Sequence, residues 1–317
     1  MGEFELIEQI FRPLCLRRDD VAAGIGDDAA ILALPPDTQL AVCVDTLVEG
    51  VHFPAAMLPF EIGYRAAAVN LSDLAAMAAT PRWATLALTI PVAQPDWLKA
   101  FARGLAAALG PLGVALVGGD TTRGPLTISV QLMGTVAAGK ALRRSGAQVG
   151  DRVFVSGTLG DAAGGLRCYD ELADHPDIRF LHRRFAQPEA RVALGLALVD
   201  VASSCIDISD GLLADAGHLA TASGLAFELR APDLPLSEAL RSRFEPAAAL
   251  ALAATGGDDY ELCFTVPERA IGLLESRLEG LDCAVTEVGR VLSGEGVQLR
   301  DAQGQLCEFA LAGYRHF

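Results

Sequence analysis

The chain has 317 residues, 51% of them hydrophobic, and a formal net charge of −15. That length and apolar content supply core for two domains of roughly 100–200 residues each, with no need of disulfide staples. The acidic balance argues against nucleic acid, whose phosphates require a basic stripe, and no apolar run approaches the ~20 residues of a membrane span.

The N-terminal stretch, MGEFELIEQIFRP, is acidic and amphipathic, unlike a signal peptide, and a helix is predicted over residues 3–11. TQLAVCVD then reads as extended and runs into TLVEGVHF. The alanine-rich EIGYRAAAVNLSDLAAMAA predicts a long helix ended by Pro81. RWATLALTIP predicts a strand, and PDWLKAFARGLAAALG a helix stopped by Gly110. VALVGG and LTISVQLMGTV follow as strands around a loop, GDTTRGP.

A polar, glycine-containing stretch over 137–150 marks the boundary between domains at 1–138 and 150–317. The second half opens with a strand, a glycine-rich loop and a helix start in DRVFVSGTLGDAAGGL. Helices are predicted around 191–201 and in LLADAGHLATAS, and strands in LAFELR, DYELCFTV, CAVTEVGRVL and GVQLR. Strands and helices mix without βαβ alternation, which predicts two α+β domains rather than one doubly wound sheet. The seven cysteines are odd in number, irregularly spaced and without a CxxC. They predict a reducing, cytoplasmic compartment and no zinc site.

The chemistry lies in aspartates that end apolar runs beside glycine: Asp27–Asp28, Asp45, Asp73, Asp120, Asp207, Asp210 and Asp258–Asp259. Each alone is explained equally well as a helix cap or a turn. Asp73 resists that explanation because it sits mid-helix, on one face with Asn70. Convergent carboxylates would repel one another and raise each other's pKa values. Hard divalent cations remove the conflict, and Mg²⁺ is typically shared between carboxylates and substrate phosphates. At each aspartate pair one member is expected to point inward. The loop SGTLGDAAGG, between a strand and a helix, is weak evidence for phosphate binding through its backbone N–H groups. GxxxxGK[ST] and the protein-kinase motifs are absent. On residue chemistry alone His52 and Tyr314 read as packed side chains, and His175, His182 and His218 as surface.

Taken together in order and spacing, GIGDDAAI, VDTLVEGVHF, NLSDLAAMAATP, LVGGDTTRG, SGTLGDAAGGL, CIDISDGL, GGDDYELCFTV and GYRHF resemble the thiamine-monophosphate kinase family. The resemblance runs from Phe4 to Phe317. The wider superfamily includes aminoimidazole ribonucleotide synthetase, selenophosphate synthetase and a hydrogenase-maturation protein.

The resemblance implies a two-domain α+β chain whose N-terminal domains pair in a homodimer, with a β-barrel-like sheet across the interface. It implies transfer of the γ-phosphoryl of ATP to thiamine monophosphate. Asp28, Asp45, Asp73, Asp120, Asp207 and Asp210 would hold several Mg²⁺ ions. Gly119, Asp120, Arg144 and Ser209 would contact ATP, and His52, Asp258 and Tyr314 thiamine monophosphate. The acceptor phosphate is already nucleophilic at neutral pH, so no general base is expected. The chain departs from the family at Cys43 and Val44, where Ser or Thr is usual, at Ala78 where glycine is frequent, and at Asp258 where glutamate is frequent. The alternatives are a synthetase of the same superfamily and a magnesium–nucleotide regulatory module without turnover.

Overall fold

The computed structural model describes residues 7–171 and 175–309. The chain divides into two compact units, one of Met1–Leu74 with Ala79–Gly139, the other of Ala75–Ala78 with Lys140–Phe317. Most of the helix predicted over residues 3–11 falls on described residues, and there Ile7–Phe11 form one π-helical turn instead of a regular α-helix.

The first unit begins with a two-stranded hairpin, β1 (Val21–Ala23) and β2 (Ile31–Leu32). Its main sheet holds β3 (Thr38–Val48), β4 (Thr80–Ile90), β5 (Ala115–Arg123) and β6 (Thr127–Ala137) in the order β3-β6-β4-β5. β6 pairs antiparallel with β3 and β4, while β4 and β5 run parallel. A parallel pair needs a crossover, and the helix Pro95–Leu109 (α2) lies within that connection. The other helix, α1 (Pro59–Ala76), is buried almost all round.

α1 and α2 meet at two glycines. A Cβ on Gly63 would lie 2.1 Å from the carbonyl oxygen of Phe101, and one on Gly104 would lie 1.9 Å from that of Phe60. α1 ends at Ala76, before Pro81, which belongs to β4. Its exit passes through Ala78 at φ 54, a left-handed conformation that favours glycine. Gly110 does not terminate α2 by a left-handed turn. The chain tightens into a 3₁₀ turn, and Gly113 at φ 65 ends it. GDTTRGP is not all loop either, because β5 continues through Asp120 to Arg123.

The second unit is built on a six-stranded sheet. Its strands are β7 (Arg152–Ser156), β8 (Ser204–Ile208), β9 (Ala226–Arg230), β10 (Glu261–Val266), β11 (Val285–Leu292) and β12 (Gly296–Arg300). Their order is β12-β9-β11-β7-β10-β8, antiparallel except for β12 with β9. The helices are α3 (Asp161–Arg167), α4 (Pro176–Ala186), α5 (Val192–Ala197), α6 (Leu212–Ser223), α7 (Glu238–Arg243), α8 (Pro246–Thr255) and α9 (Ile271–Leu278). Val153, Val155, Ile206, Ile208, Leu219 and Phe227 belong to one buried core that joins the sheet to α6. Among the described residues no helix is long and apolar enough to cross a membrane.

Candidate active site

In the first unit β3 carries Asp45, two residues before the buried Leu47 and so on the same face of the strand. Asp73, on α1, shares a hydrogen bond with the Asp45 carboxyl. Burial raises the Asp45 pKa, and that hydrogen bond opposes the rise. Cys43 lies on this face as well. Its thiol is 3.4 Å from the carbonyl oxygen of Asn70, and its pKa is raised by burial and then by the charges of Asp73 and Asp45. The thiol therefore stays protonated. Val44 points the opposite way and is 61% exposed. Asn70 is fully buried, with its Nδ2 donating to the carbonyl of Ala66 at 3.1 Å.

A cavity of about 820 Å³ opens in the same unit, lined among others by Arg12, Asp27, Asp28, Gly119 and Asp120. Asp28 and Asp120 are both exposed, and Asp27 accepts the Asp28 N–H at 3.1 Å. Asp120 pairs with Ala87 across the β4–β5 ladder, and this strand pairing fixes its position. Gly119 is required sterically, since a Cβ there would lie 1.9 Å from the carbonyl oxygen of Leu86. The hairpin bearing Asp27 and Asp28 is anchored at Asp20, which accepts two Arg18 hydrogen bonds at 2.7 Å, Arg82 at 3.2 Å and the Trp83 indole at 3.3 Å. The Arg18 hydrogen bond is the main reason the Asp20 pKa falls to about 2. His52 follows β3 in a turn, where its Nδ1 accepts the Val48 N–H at 3.0 Å. The ring proton of the neutral imidazole is therefore on Nε2.

In the second unit Asp207 lies on β8 opposite Leu262 and is 5% exposed. The following turn carries Ser209 and Asp210. Asp258 reaches this turn through the backbone, its N–H donating to the Ser209 carbonyl at 2.9 Å, while the Tyr260 N–H donates to Ile208 at 2.8 Å. Asp258 and Tyr260 adopt φ 72 and φ 51, so the GGDDY segment holds two side-chain-bearing residues in left-handed backbone. Within this unit the structure brings together Asp207, Ser209, Asp210 and Asp258. Arg144 is exposed. Tyr314 lies outside the described residues.

The glycine-rich loop behaves differently from the phosphate cradle that its composition suggests. Asp259 is buried and accepts the N–H of Gly160 at 2.6 Å and of Ala162 at 3.0 Å. Those donors are already satisfied by the protein's own carboxylate. As expected for the pair, one member, Asp259, points inward.

Several residues escaped the sequence reading. Asp215, on α6, accepts the N–H groups of Ser209 and Asp210, both at 3.0 Å. Its pKa rises to about 8, chiefly by burial and then by the Asp207 charge. His218 is exposed, yet a ring nitrogen lies within 4.8 Å of carboxylate oxygens of both Asp210 and Asp215. An aspartate three residues before a histidine on a helix was the available signal. Arg12, in the first unit's cavity, is a cation among carboxylates and had no motif to mark it.

The acidic clusters suit a hard divalent cation. Adjoining carboxylates, partly or fully withdrawn from water, raise one another's pKa values until a cation neutralises them. Asp215 shows that rise, from burial and then from the Asp207 and Asp210 charges, whereas Asp45 is raised by burial alone and the Asp73 hydrogen bond opposes the rise.

The family described as AIR synthase related protein, N-terminal domain, matches residues 26–136, and its C-terminal domain matches 148–302. A thiamine-monophosphate kinase of Salmonella typhimurium is 44% identical over 321 residues, covering 100% of this chain and 98% of its own. A crystal structure of thiamine-monophosphate kinase from Stenotrophomonas maltophilia has a TM-score of 0.89 at 47% identity, covering 97% of this chain and 98% of its own. A structure of AaThiL complexed with AMPPCP and TMP has a TM-score of 0.79 at 35% identity, covering 100% of this chain and 97% of its own.

Proposed function

The chain belongs to the AIR synthase related family and, within it, to the thiamine-monophosphate kinases, and from that premise we propose how its residues carry the reaction. ATP phosphorylates thiamine monophosphate to thiamine diphosphate. Asp28, Asp45, Asp73 and Asp120 of the first unit and Asp207 and Asp210 of the second hold magnesium. Gly119, Asp120, Arg144 and Ser209 contact ATP, while His52, Asp258 and Tyr314 contact thiamine monophosphate. The observation that carries the metal role is the hydrogen-bonded pair of Asp45 and Asp73, two half-buried carboxyls with a thiol beside them.

Magnesium held by these aspartates would supply charge neutralisation between two polyanions. The protein's part is alignment. Arg144 offers a planar guanidinium suited to bidentate phosphate contact. His52 presents a fixed tautomer because Val48 occupies its Nδ1. No side chain need take a proton from the acceptor, whose second phosphate pKa is about 6.

Pairing of first units in a homodimer, forming a barrel-like sheet, is supported by β3. It is an edge strand, and it exposes Leu40, Val42 and Val44 at 45%, 51% and 61%. A cytoplasmic location is supported by seven cysteines, none of them in a disulfide. Mixing the protein with Mg-ATP and thiamine monophosphate and measuring thiamine diphosphate tests the reading. Nucleotide binding without product would favour the regulatory-module alternative.

A further inference from the structure

We infer that Asp215 is a positioning residue that presents Ser209 and Asp210 to the magnesium–nucleotide complex; the inference rests on the site reading proposed above. The carboxylate does not behave as an ordinary N-cap. A cap accepts N–H groups ahead of it in the helix. Asp215 instead reaches back to the turn that precedes α6, and one oxygen, Oδ2, accepts the N–H of Ser209 and of Asp210.

The turn is held from its other side too, because the Ser209 carbonyl accepts the Asp258 N–H at 2.9 Å. Both main-chain polar groups of Ser209 are thus tied down, one by α6 and one by the segment leading into β10. Gly211, which links the turn to α6, has φ 107, and a Cβ there would lie 2.7 Å from Thr255 main-chain atoms. The turn therefore has little room to relax. Asp215 itself is 2% exposed, which suits it to aim its neighbours rather than to touch a ligand.

What the clamp requires is an acceptor oxygen at one place, not a charge. Asparagine supplies that oxygen at the same reach, whereas glutamate keeps the charge and overshoots by a methylene. The test compares Asp215→Asn with Asp215→Glu, binding Mg-AMPPCP by calorimetry on the full chain, with steady-state kinetics beside it.

The clamp predicts that Asp215→Asn retains tight binding, within about threefold, while Asp215→Glu weakens it roughly tenfold or more. In Asp215→Glu the KM for ATP should rise with that for thiamine monophosphate unchanged, a split that loss of stability alone would not produce. Asp215→Asn as weak as, or weaker than, Asp215→Glu would overturn the clamp in favour of a charge or metal-ligand role. Two variants that both bind like the wild type would overturn it outright. Asp210→Asn is the control on the premise. If it binds Mg-AMPPCP like the wild type, the site reading fails, and the clamp with it.

Discussion

Asp259 fastens Gly160: the buried carboxylate accepts the Gly160 N–H at 2.6 Å, and its other oxygen accepts the Ala162 N–H at 3.0 Å. Burial pushes the Asp259 pKa up to about 8, against the opposing Arg184 charge. An acid whose pKa is higher folded than unfolded binds its proton more tightly when folded. The stabilisation is complete below the unfolded value, about 4, and is lost as pH rises through about 8. Asp259→Asn is neutral throughout and lacks this slope. Its melting temperature relative to wild type should therefore improve between pH 5 and pH 8.5. Parallel melting curves across that range would contradict the assignment.

Glu261 is the anion of a second buried cluster. It accepts Arg191 at 2.6 Å twice, Arg184 at 2.7 Å and the Ser156 hydroxyl at 2.5 Å. Burial alone would raise its pKa, but the arginines outweigh it and hold the carboxyl below its ordinary value. Removing one partner of a buried ion pair strands the others, at about 3–5 kcal/mol. Chemical denaturation of Glu261→Ala should show a loss of that order, and a loss below about 1 kcal/mol would mean that the cluster is solvated.

The contact of α1 with α2 tolerates no side chain at its glycines. Gly63→Ala would force the Phe101 backbone to move, since the added carbon meets its oxygen at 2.1 Å. Overpacking of this kind costs about 1–3 kcal/mol. Unchanged stability on urea unfolding would show that the helices slide apart freely.

How much of this was legible beforehand depends on the range over which each signal acts. Glycines and aspartates in short motifs marked Asp45, Asp73, Asp207 and Asp210, because a carboxylate ending an apolar run is costly without a partner. Helix α6 and most strands were legible from periodicity. The partner of a backbone N–H was not. SGTLGDAAGG gave weak evidence of a phosphate loop because composition reports available donors, and only the fold reveals that Asp259, 99 residues from Gly160, takes the N–H groups of Gly160 and Ala162. Glu261 sat unnoticed inside ELCFTV for the same reason, its arginines being 70 and 77 residues away. The end of α2 was legible, since the helix stops at Leu109 before Gly110, but the manner of its ending was not: Gly110 is right-handed and opens a 3₁₀ turn, and the left-handed residue comes only at Gly113.

The substrate assignments are tested by kinetics. His52→Ala and Tyr314→Ala should each raise the KM for thiamine monophosphate more than that for ATP. His52 is held by Val48 in one tautomer, so alanine removes an oriented contact. Equal effects on both substrates, or none, would reject these contacts.

The central claim is that the first unit's carboxylates act on nucleotide only through magnesium. Calorimetric titration of AMPPCP into the wild type, Asp45→Asn and Asp120→Asn, each with magnesium and with chelator, tests it most directly. The account predicts tight binding only for the wild type with magnesium, and a weakening of roughly tenfold or more in each variant. Equal affinity in chelator, or wild-type affinity in both variants, would contradict it.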